Sequence, residues 1–449
     1  MQNKPRARAK ESVLVNMVFT LVASGLIFVS LFASIVFFPT VKIGKTSVGS
    51  YWLIALIGAV ILLVFGAVPF GEIVKDLTAD SAVNPLKILI LFFSMTFLSV
   101  FLDEAGLFRY LAEKAVALAG KNQFSVFAIV YLLTAVLTVF TSNDIVILTL
   151  TPFICYFCHN AKIDPVPYLV GEFAAANTWS MMLVIGNPTN IYLSSFAGIG
   201  FAEYLKVMAL PTFVAGVTEF AVILLLFGRR LKKPIEIKTV KTVIESKADI
   251  VVGLVHIAAC LGFLIISGYL GVEMWAVSAI CAGSLFLCII VIRLIKRKGA
   301  HFIVNTVKRL PWQLIPFVLS MFVIVISLRY RGITDIITEA LGTNGTVWTY
   351  GFSSFVAANV INNIPMSILY CTVISPLPSG VFIKAIYATV IGSNVGAFLT
   401  PIGALAGIMF TALNKEHGVG YGFKEFVKYG LIISLPTVAA ALGTLALVL

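Results

Sequence analysis

Four short polar breaks interrupt the apolar segments of this chain, and they carry the residues able to do chemistry. The first is Phe140-Thr141-Ser142-Asn143-Asp144, inside an apolar run from Phe124 to Phe157. It offers three hydrogen-bonding side chains and a carboxylate where a membrane helix should carry only hydrocarbon. The second is Gly186-Asn187-Pro188-Thr189-Asn190, with Asn177 on the segment before it. The second half has Asn362-Asn363-Ile364-Pro365, then Gly392-Ser393-Asn394 running on to Thr400-Pro401-Ile402-Gly403. An unpaired polar group costs several kcal/mol in hydrocarbon, and an unpaired charge more. Such breaks persist only where they line a cavity or are covered by protein. Two interrupted segments per half point to a transporter site built at a repeat interface.

The residue types say what such a site could hold. A half-helix N-terminus presents free N–H groups and suits an anion or a hydroxylated solute. Half-helix C-termini and unwound carbonyls suit a cation. The candidate substrate- and ion-binding set is Ser142, Asn143, Asp144, Asn177, Asn187, Thr189, Asn190, Asn362, Asn363, Asn394 and Thr400. Ser142 and Asp144 are also suited to capping the returning half-helix. Asp144 is the single carboxylate among the four breaks, so capping and a coupling charge both remain open for it. Pro365, Pro188 and Pro401 fit the first turns of the helices that follow. Interhelical glue is the ordinary role of one Asn in a membrane helix; Asn in all four breaks favours a site. Glu172 and Glu219 also fall in apolar spans. Glu172, near an end, is expected to snorkel, while Glu219 lies deeper and could titrate. Lys384 reads as interfacial, and Arg329 and Arg331 as solvated at a span end.

The elements that must position these residues follow from composition. The hydrophobic fraction is 60% and the charged fraction 12%, with mean hydropathy +1.03, which places the chain among polytopic membrane proteins. Apolar windows of spanning length occur at about 13–38, 51–70, 86–102, 166–185, 205–228, 249–268, 272–292, 312–328, 381–399 and 426–447. Two further windows, about 123–158 and 346–375, carry polar breaks and read as re-entrant hairpins. The net charge of +12 does not indicate nucleic acid, because the positive residues sit in short loops between spans. The loops Arg229 to Lys247 and Arg293 to Arg309 should both face the cytoplasm. The tail carrying Lys4, Arg6, Arg8 and Lys10 asks for the same side, and the span count leaves its orientation open. The first apolar segment reads as a retained span, without a cleavage site.

All six cysteines lie in apolar segments and read as small buried hydrophobes. Cys155-Tyr156-Phe157-Cys158-His159 matches a haem-attachment pattern, but it ends an apolar helix and is taken as chance. The four histidines form no H-E-x-x-H, which argues against an intramembrane metalloprotease. A channel would predict currents without coupling. No catalytic residue, metal or cofactor is expected beyond a coupling ion, Na+ or H+.

An internal repeat organises the chain. Pro85, Ser94-Met95 and Gly106 match Pro311, Ser320-Met321 and Gly332 at an offset of 226. Asn143 matches Asn362 at 219, and Asn177 and Gly186 match Asn394 and Gly403 at 217. The expected fold is an all-α polytopic membrane protein of two inverted-topology repeats. Each has about five transmembrane helices, a short interfacial helix (about 104–119 and 331–342), a re-entrant hairpin and a broken helix. The expected divisions are an N-terminal tail 1–12, a first repeat 13–228, a basic cytoplasmic linker 229–248 and a second repeat 249–449.

The sequence resembles the ion transporter superfamily, and most closely the ArsB-type arsenite permeases. The matching stretches are Leu102-Asp103-Glu104-Ala105-Gly106-Leu107-Phe108, Ser142-Asn143-Asp144 with Leu150-Thr151-Pro152, Pro311-Trp312-Gln313, Asn362-Asn363-Ile364-Pro365, and Tyr387 to Gly392 running to Thr400 to Ala406. The resemblance implies a multi-pass cell-membrane permease exporting arsenite or antimonite, coupled to proton entry, sometimes with a separate ATPase subunit; a homodimer is a further expectation. The wider superfamily, including divalent anion–sodium symporters, implies the alternative of a sodium- or proton-coupled di- or tricarboxylate carrier. Asn394 departs from the arsenite branch, which carries an acid there. The Gly186 to Asn190 loop is similar to other branches.

Overall fold

The computed structural model describes residues 3–38, 40–43, 46–79, 84–120, 122–232, 235, 244, 246–297 and 299–449, without the side chains of 3–13, 36, 43, 46 and 47. The first half runs through α1 (Asn3–Phe37), an antiparallel ribbon of β1 (Thr40–Ile43) and β2 (Thr46–Gly49), α2 (Ser50–Val64), α3 (Phe70–Thr78), α4 (Pro85–Glu104), α5 (Leu107–Ala119), α6 (Gln123–Phe140), α7 (Asn143–Ala161), α8 (Val166–Trp179), α9 (Pro188–Phe196) and α10 (Phe201–Phe227). The second half runs through α11 (Lys247–Leu270), α12 (Met274–Ile295), α13 (His301–Lys308), α14 (Leu314–Tyr330), α15 (Ile333–Leu341), α16 (Thr346–Ile361), α17 (Asn363–Ile374), α18 (Ser379–Gly396), α19 (Leu405–Glu416) and α20 (Phe423–Val448). From α4 to α10 and from α14 to α20 the order of elements is the same. Most of the 229–248 linker, including Glu236 and Glu245, lies outside the described residues, as do the side chains of Lys4, Arg6, Arg8 and Lys10.

Eight helices are long and apolar enough to cross a membrane among the described residues: α4, α6, α7, α10, α11, α12, α20 and the Leu14–Ile35 part of α1. The chain is a multi-pass membrane protein. The other expected spans, α2, α8, α14 and α18, fall outside that set. For α8 the reason is the break itself: its 14 residues rise only about 21 Å, against a hydrocarbon core of about 30 Å. The helix therefore ends at membrane depth, where backbone groups must find protein partners.

Both expected helix pairs form hairpins, although α6 and α7 are each long and apolar enough to cross the membrane rather than only re-enter it. Tyr168 of α8 packs on Phe127 near the start of α6 and on Phe157 near the end of α7, with ring centroids 6.1 and 6.5 Å away. One residue touches both far ends, so α6 and α7 run back along each other from the tip at Thr141–Ser142. Likewise Tyr370 of α17 lies against Tyr350 and Ser353 in the first turns of α16, with the tip at Asn362. The expected interfacial helices are α5 and α15. Each is entered through a glycine at positive φ, Gly106 at 83° and Gly332 at 72°, a conformation that costs glycine nothing. At Gly332 the chain bends by 79° between α14 and α15.

The helices pack most intimately where α18 lies on α16. A Cβ at Gly392 would sit 2.1 Å from Ser354 Oγ and 2.2 Å from Gly351 O. Small residues at such a crossing let two backbones approach, as membrane interfaces favour.

Candidate functional site

The break after α8 is built by amides. Past Trp179 the chain makes two single 3-10 turns, Ser180–Met182 and Val184–Gly186, leaving carbonyls without helical partners. Asn190 Nδ2 donates to two of them, Ser180 O at 2.8 Å and Leu183 O at 3.1 Å. Asn187 Oδ1 accepts from Thr189 N at 3.1 Å and so starts α9, with Pro188 at its first position. An ideal Cβ on Gly186 would lie 2.1 Å from Ser180 O, so the turn closes only on glycine.

Asn394 of α18 reaches into this loop from the other half. Its Oδ1 accepts from Ser180 Oγ at 2.9 Å and Asn187 Nδ2 at 3.0 Å. Its Nδ2 donates to Asn190 Oδ1 at 2.7 Å and Val390 O at 2.8 Å. On the other side of Ser180, Asn177 Oδ1 accepts from Asn143 Nδ2 at the hairpin tip, at 3.2 Å. Asn143, Asn177, Asn187, Asn190 and Asn394 are all buried, and they form one chain of contacts with Ser180.

The second hairpin tip meets the second break. Asn362 Nδ2 donates to Ile402 O at 2.9 Å, and Asn363 N to Gly403 O at 3.0 Å. Asn362 holds φ at +72° with ψ 153°, a conformation rare for residues with a Cβ and costing about 1–3 kcal/mol. Thr400 Oγ1 donates to Asn359 Oδ1 at 2.7 Å, and Asn359 Nδ2 donates to Gly396 O at 2.9 Å. Gly396 is two residues from Asn394, so the last turn of α18 joins the two networks.

Ser142 and Asp144 face elsewhere, into a cavity of about 100 Å³ also lined by Tyr51, Thr96, Arg309 and Leu405. Ser142 Oγ and Thr96 Oγ1 are buried and unpartnered there, which for polar atoms calls for an explanation such as a solute. Arg309 donates to Glu104 at 2.9 Å and to Asp103, so its charge is already matched. Thr189 lines a second, much smaller cavity, about 20 Å³, with Ile364 and Ser367 of the second hairpin and Tyr192. Phe92 and Leu314 line both cavities. Asn363 Oδ1 and Tyr192 OH are also unpartnered.

Three expectations are corrected. Glu172 does not snorkel: it is 0% exposed, and Thr151 Oγ1 donates to its carboxylate at 3.0 Å. Its position 14 residues from the break, counted along the sequence, did not reveal that both ends of α8 are covered. Ser142 precedes α7 but makes no side-chain cap bond; Asn143 Oδ1 takes the Asp144 N–H instead, at 2.9 Å. Pro401 lies inside the break, not in the first turn of α19, which starts at Leu405. Arg329 pairs with Asp76, and Arg331 donates to Gly66 O and Ala67 O, so both have protein partners at the span end. Sequence reasoning also missed Ser180 and Asn359. Their signal was available: each is a polar residue three positions from an Asn of the set, beside a break.

Residues 35–385 match the family model described as Citrate transporter. The arsenical pump membrane protein of Escherichia coli (strain K12) is 29% identical over 421 residues, covering 88% of this chain and 92% of that protein. An uncharacterized transporter of Synechocystis sp. is 24% identical over 419 residues, covering 86% and 91%. Among solved structures, the YdaH transporter of Alcanivorax borkumensis matches with a TM-score of 0.58 at 13% identity, covering 96% of this chain and 98% of that one. MtrF of Neisseria gonorrhoeae, from a class of antimetabolite efflux pumps, matches with a TM-score of 0.51 at 13% identity, covering 96% and 94%. At those identities the structural likeness concerns the fold alone.

Proposed function

This chain belongs to the citrate transporter family, and on that premise we propose that it moves a small inorganic hydroxide, arsenite or antimonite, by proton antiport. The observation that carries this reading is the cavity at the first hairpin tip. It presents the Asp144 carboxylate and the unpartnered hydroxyls of Ser142 and Thr96, while its one arginine is held by Asp103 and Glu104. Hydroxyls beside an acid suit a neutral polyhydroxy solute that donates and accepts. The name of the Escherichia coli relative supports the same substrate class.

The mechanism is alternating access, with the two repeats inverted relative to each other. The hairpins and broken helices move as a unit against the first spans of each repeat. Asn143, Asn187, Asn362 and Asn394 contact solute or ion in some stage of the cycle, and Asp144 carries the coupling charge. The expected outcome for Asp144→Asn is loss of coupled transport with folding intact. The test is arsenite accumulation in everted vesicles under an imposed proton gradient; wild-type rates in that variant would remove Asp144 from the mechanism.

A second reading is a sodium-coupled carrier of citrate or a dicarboxylate. The family description favours it, and the half-helix N-termini at α7, α9 and α17 could balance a carboxylate. Citrate uptake that requires sodium, together with no protection of an exporter-deficient strain from arsenite, would decide for it.

A further inference from the structure

Outside the breaks, one buried acid is surrounded by an unusual set of partners. Glu219 of α10 is 0% exposed. Tyr131 Oη of α6 lies 2.9 Å from its Oε1, and Thr178 Oγ1 at the end of α8 donates to its Oε2. Tyr131 Oη is also 2.8 Å from Gly216 O and accepts from Trp179 Nε1 at 3.2 Å. The indole reaches this point because residue 216 is glycine: a Cβ there would lie 2.4 Å from Trp179 Cζ2. From α6 the titratable group facing the acid is Tyr131, and from α8 only the neutral Thr178 and Trp179 face it. Neither the acids and bases of α20 (Lys424, Glu425, Lys428) nor those of α11 (Lys247, Asp249, His256) are paired with it. No cation is within ion-pair distance of it among the described residues.

We propose that Glu219, cradled by Tyr131, Thr178 and Trp179, is a proton-binding site separate from Asp144, through which protonation tightens or loosens the end of α8. The burial of this acid with no cation beside it among the described residues carries the argument, and the hydroxyl geometry supports it. Tyr131 has a single hydroxyl hydrogen and two oxygen neighbours, Glu219 Oε1 and Gly216 O, the second of which is also part of the α10 ladder. When that hydrogen goes to Gly216 O, the contact with Oε1 is a bond only if Oε1 carries a proton and donates it to Tyr131 Oη. With the acid protonated, every contact is satisfied. With the acid ionised, the tyrosine hydrogen must turn to Oε1, and a buried charge remains with two neutral donors, a costly state. The step is a simple exchange: a proton from water binds the carboxylate, and the same proton returns to water on release. Thr178 and Trp179 directly follow Asn177, which bonds the hairpin tip through Asn143. The load on Thr178 therefore acts where α8 gives way to the amide-built break.

This inference deepens the transporter reading and rests on it for its role, though not for the proton site itself. The test uses the full chain in lipid nanodiscs. The infrared carbonyl band of protonated carboxylic acid is followed as a function of pH in the wild type, Glu219→Gln, Glu172→Gln, Asp144→Asn and Tyr131→Phe. Glutamine keeps a donor toward Tyr131 and an acceptor for Thr178, so this variant should fold. The expected result is an acid band that Glu219→Gln removes, that Glu172→Gln and Asp144→Asn leave, and that Tyr131→Phe shifts. A pH-dependent tryptophan emission change should vanish in both Trp179→Phe and Glu219→Gln. A spectrum of Glu219→Gln that retains every acid band of the wild type would overturn the proposal. In proteoliposomes, Glu219→Gln should lower proton-driven arsenite accumulation about tenfold, a coupling of about 1.4 kcal/mol. If the wild type moves neither arsenite nor citrate, the transport reading fails while the infrared result still decides the proton site.

Discussion

The two broken helices occupy matched places in the two halves, yet they are held open by different means. At the common offset of 217, Asn177, Trp179, Ser180, Asn187 and Asn190 stand against Asn394, Gly396, Ala397, Ala404 and Gly407. In the first half, side chains brace the break: Asn190 holds two loose carbonyls, and Trp179 fills the space beside α6 and α10. In the second, close backbone packing shares the bracing with amides of the hairpin. A Cβ at Gly396 would lie 2.8 Å from Phe355 O, and one at Gly407 2.4 Å from Pro401 O. Asn359 and Asn362 donate from the hairpin to main-chain oxygens of that break. The pair also differs in reach. Asn177 serves the hairpin of its own half, while Asn394 crosses to the loop of the other. Two halves with the same order of elements thus give one break tied by amides of its own loop and one held by close packing together with amides of the hairpin, with Asn394 linking them.

That comparison can be broken by exchange. The largest effect is expected from Gly396→Trp, which puts the first half's residue into the tight crossing. Overpacking of that kind costs about 4 kcal/mol or more, read as loss of monodisperse protein after mild heating in detergent. A well-behaved Gly396→Trp protein would show that α16 and α18 are not in close contact. Next comes Asn394→Ala. Its three cross-helix bonds at roughly 0.6 kcal/mol each give a loss of about 2 kcal/mol, measured by thermal unfolding in the same detergent. Asn177→Ala gives up one such bond and should cost about 0.6 kcal/mol. The reverse ranking would mean that Asn394 does not bridge the halves. Asn359→Leu, which frees Gly396 O and Thr400, should cost about 1 kcal/mol on the same scale. The smallest effect is expected from Thr400→Val, at about 0.5 kcal/mol, and the double variant should cost less than the sum of the two single ones, because Thr400 and Asn359 share one hydrogen bond.

Much of this was legible in the sequence. Six of the ten expected spans, the two helical hairpins, the short helices α5 and α15 and the positions of all four breaks follow from the length of apolar runs and from where Asn, Gly and Pro interrupt them. Those signals are local, because a helix in hydrocarbon must satisfy its own backbone and announces wherever it cannot. That these amides would be buried and hydrogen-bonded was legible for the same reason: an amide at membrane depth needs a partner, and Asn143, Asn177, Asn187, Asn190, Asn362 and Asn394 each have one.

What the chain order could not decide is which partner each one takes. Asn394 bonds residues more than 200 positions away, while its counterpart Asn177 does not. Ser142 and Asp144 turn from the amide chain toward a cavity closed by Tyr51 and Arg309. Glu172 and Glu219, alike as isolated acids in apolar runs, received a single threonine in one case and a tyrosine, a threonine and a neighbouring indole in the other. Hydrocarbon solvent dictates from sequence alone where polarity must be covered. Only the packing of helices distant in the chain settles what covers it, because a side chain's reach is a few ångströms in space and has no fixed length along the sequence.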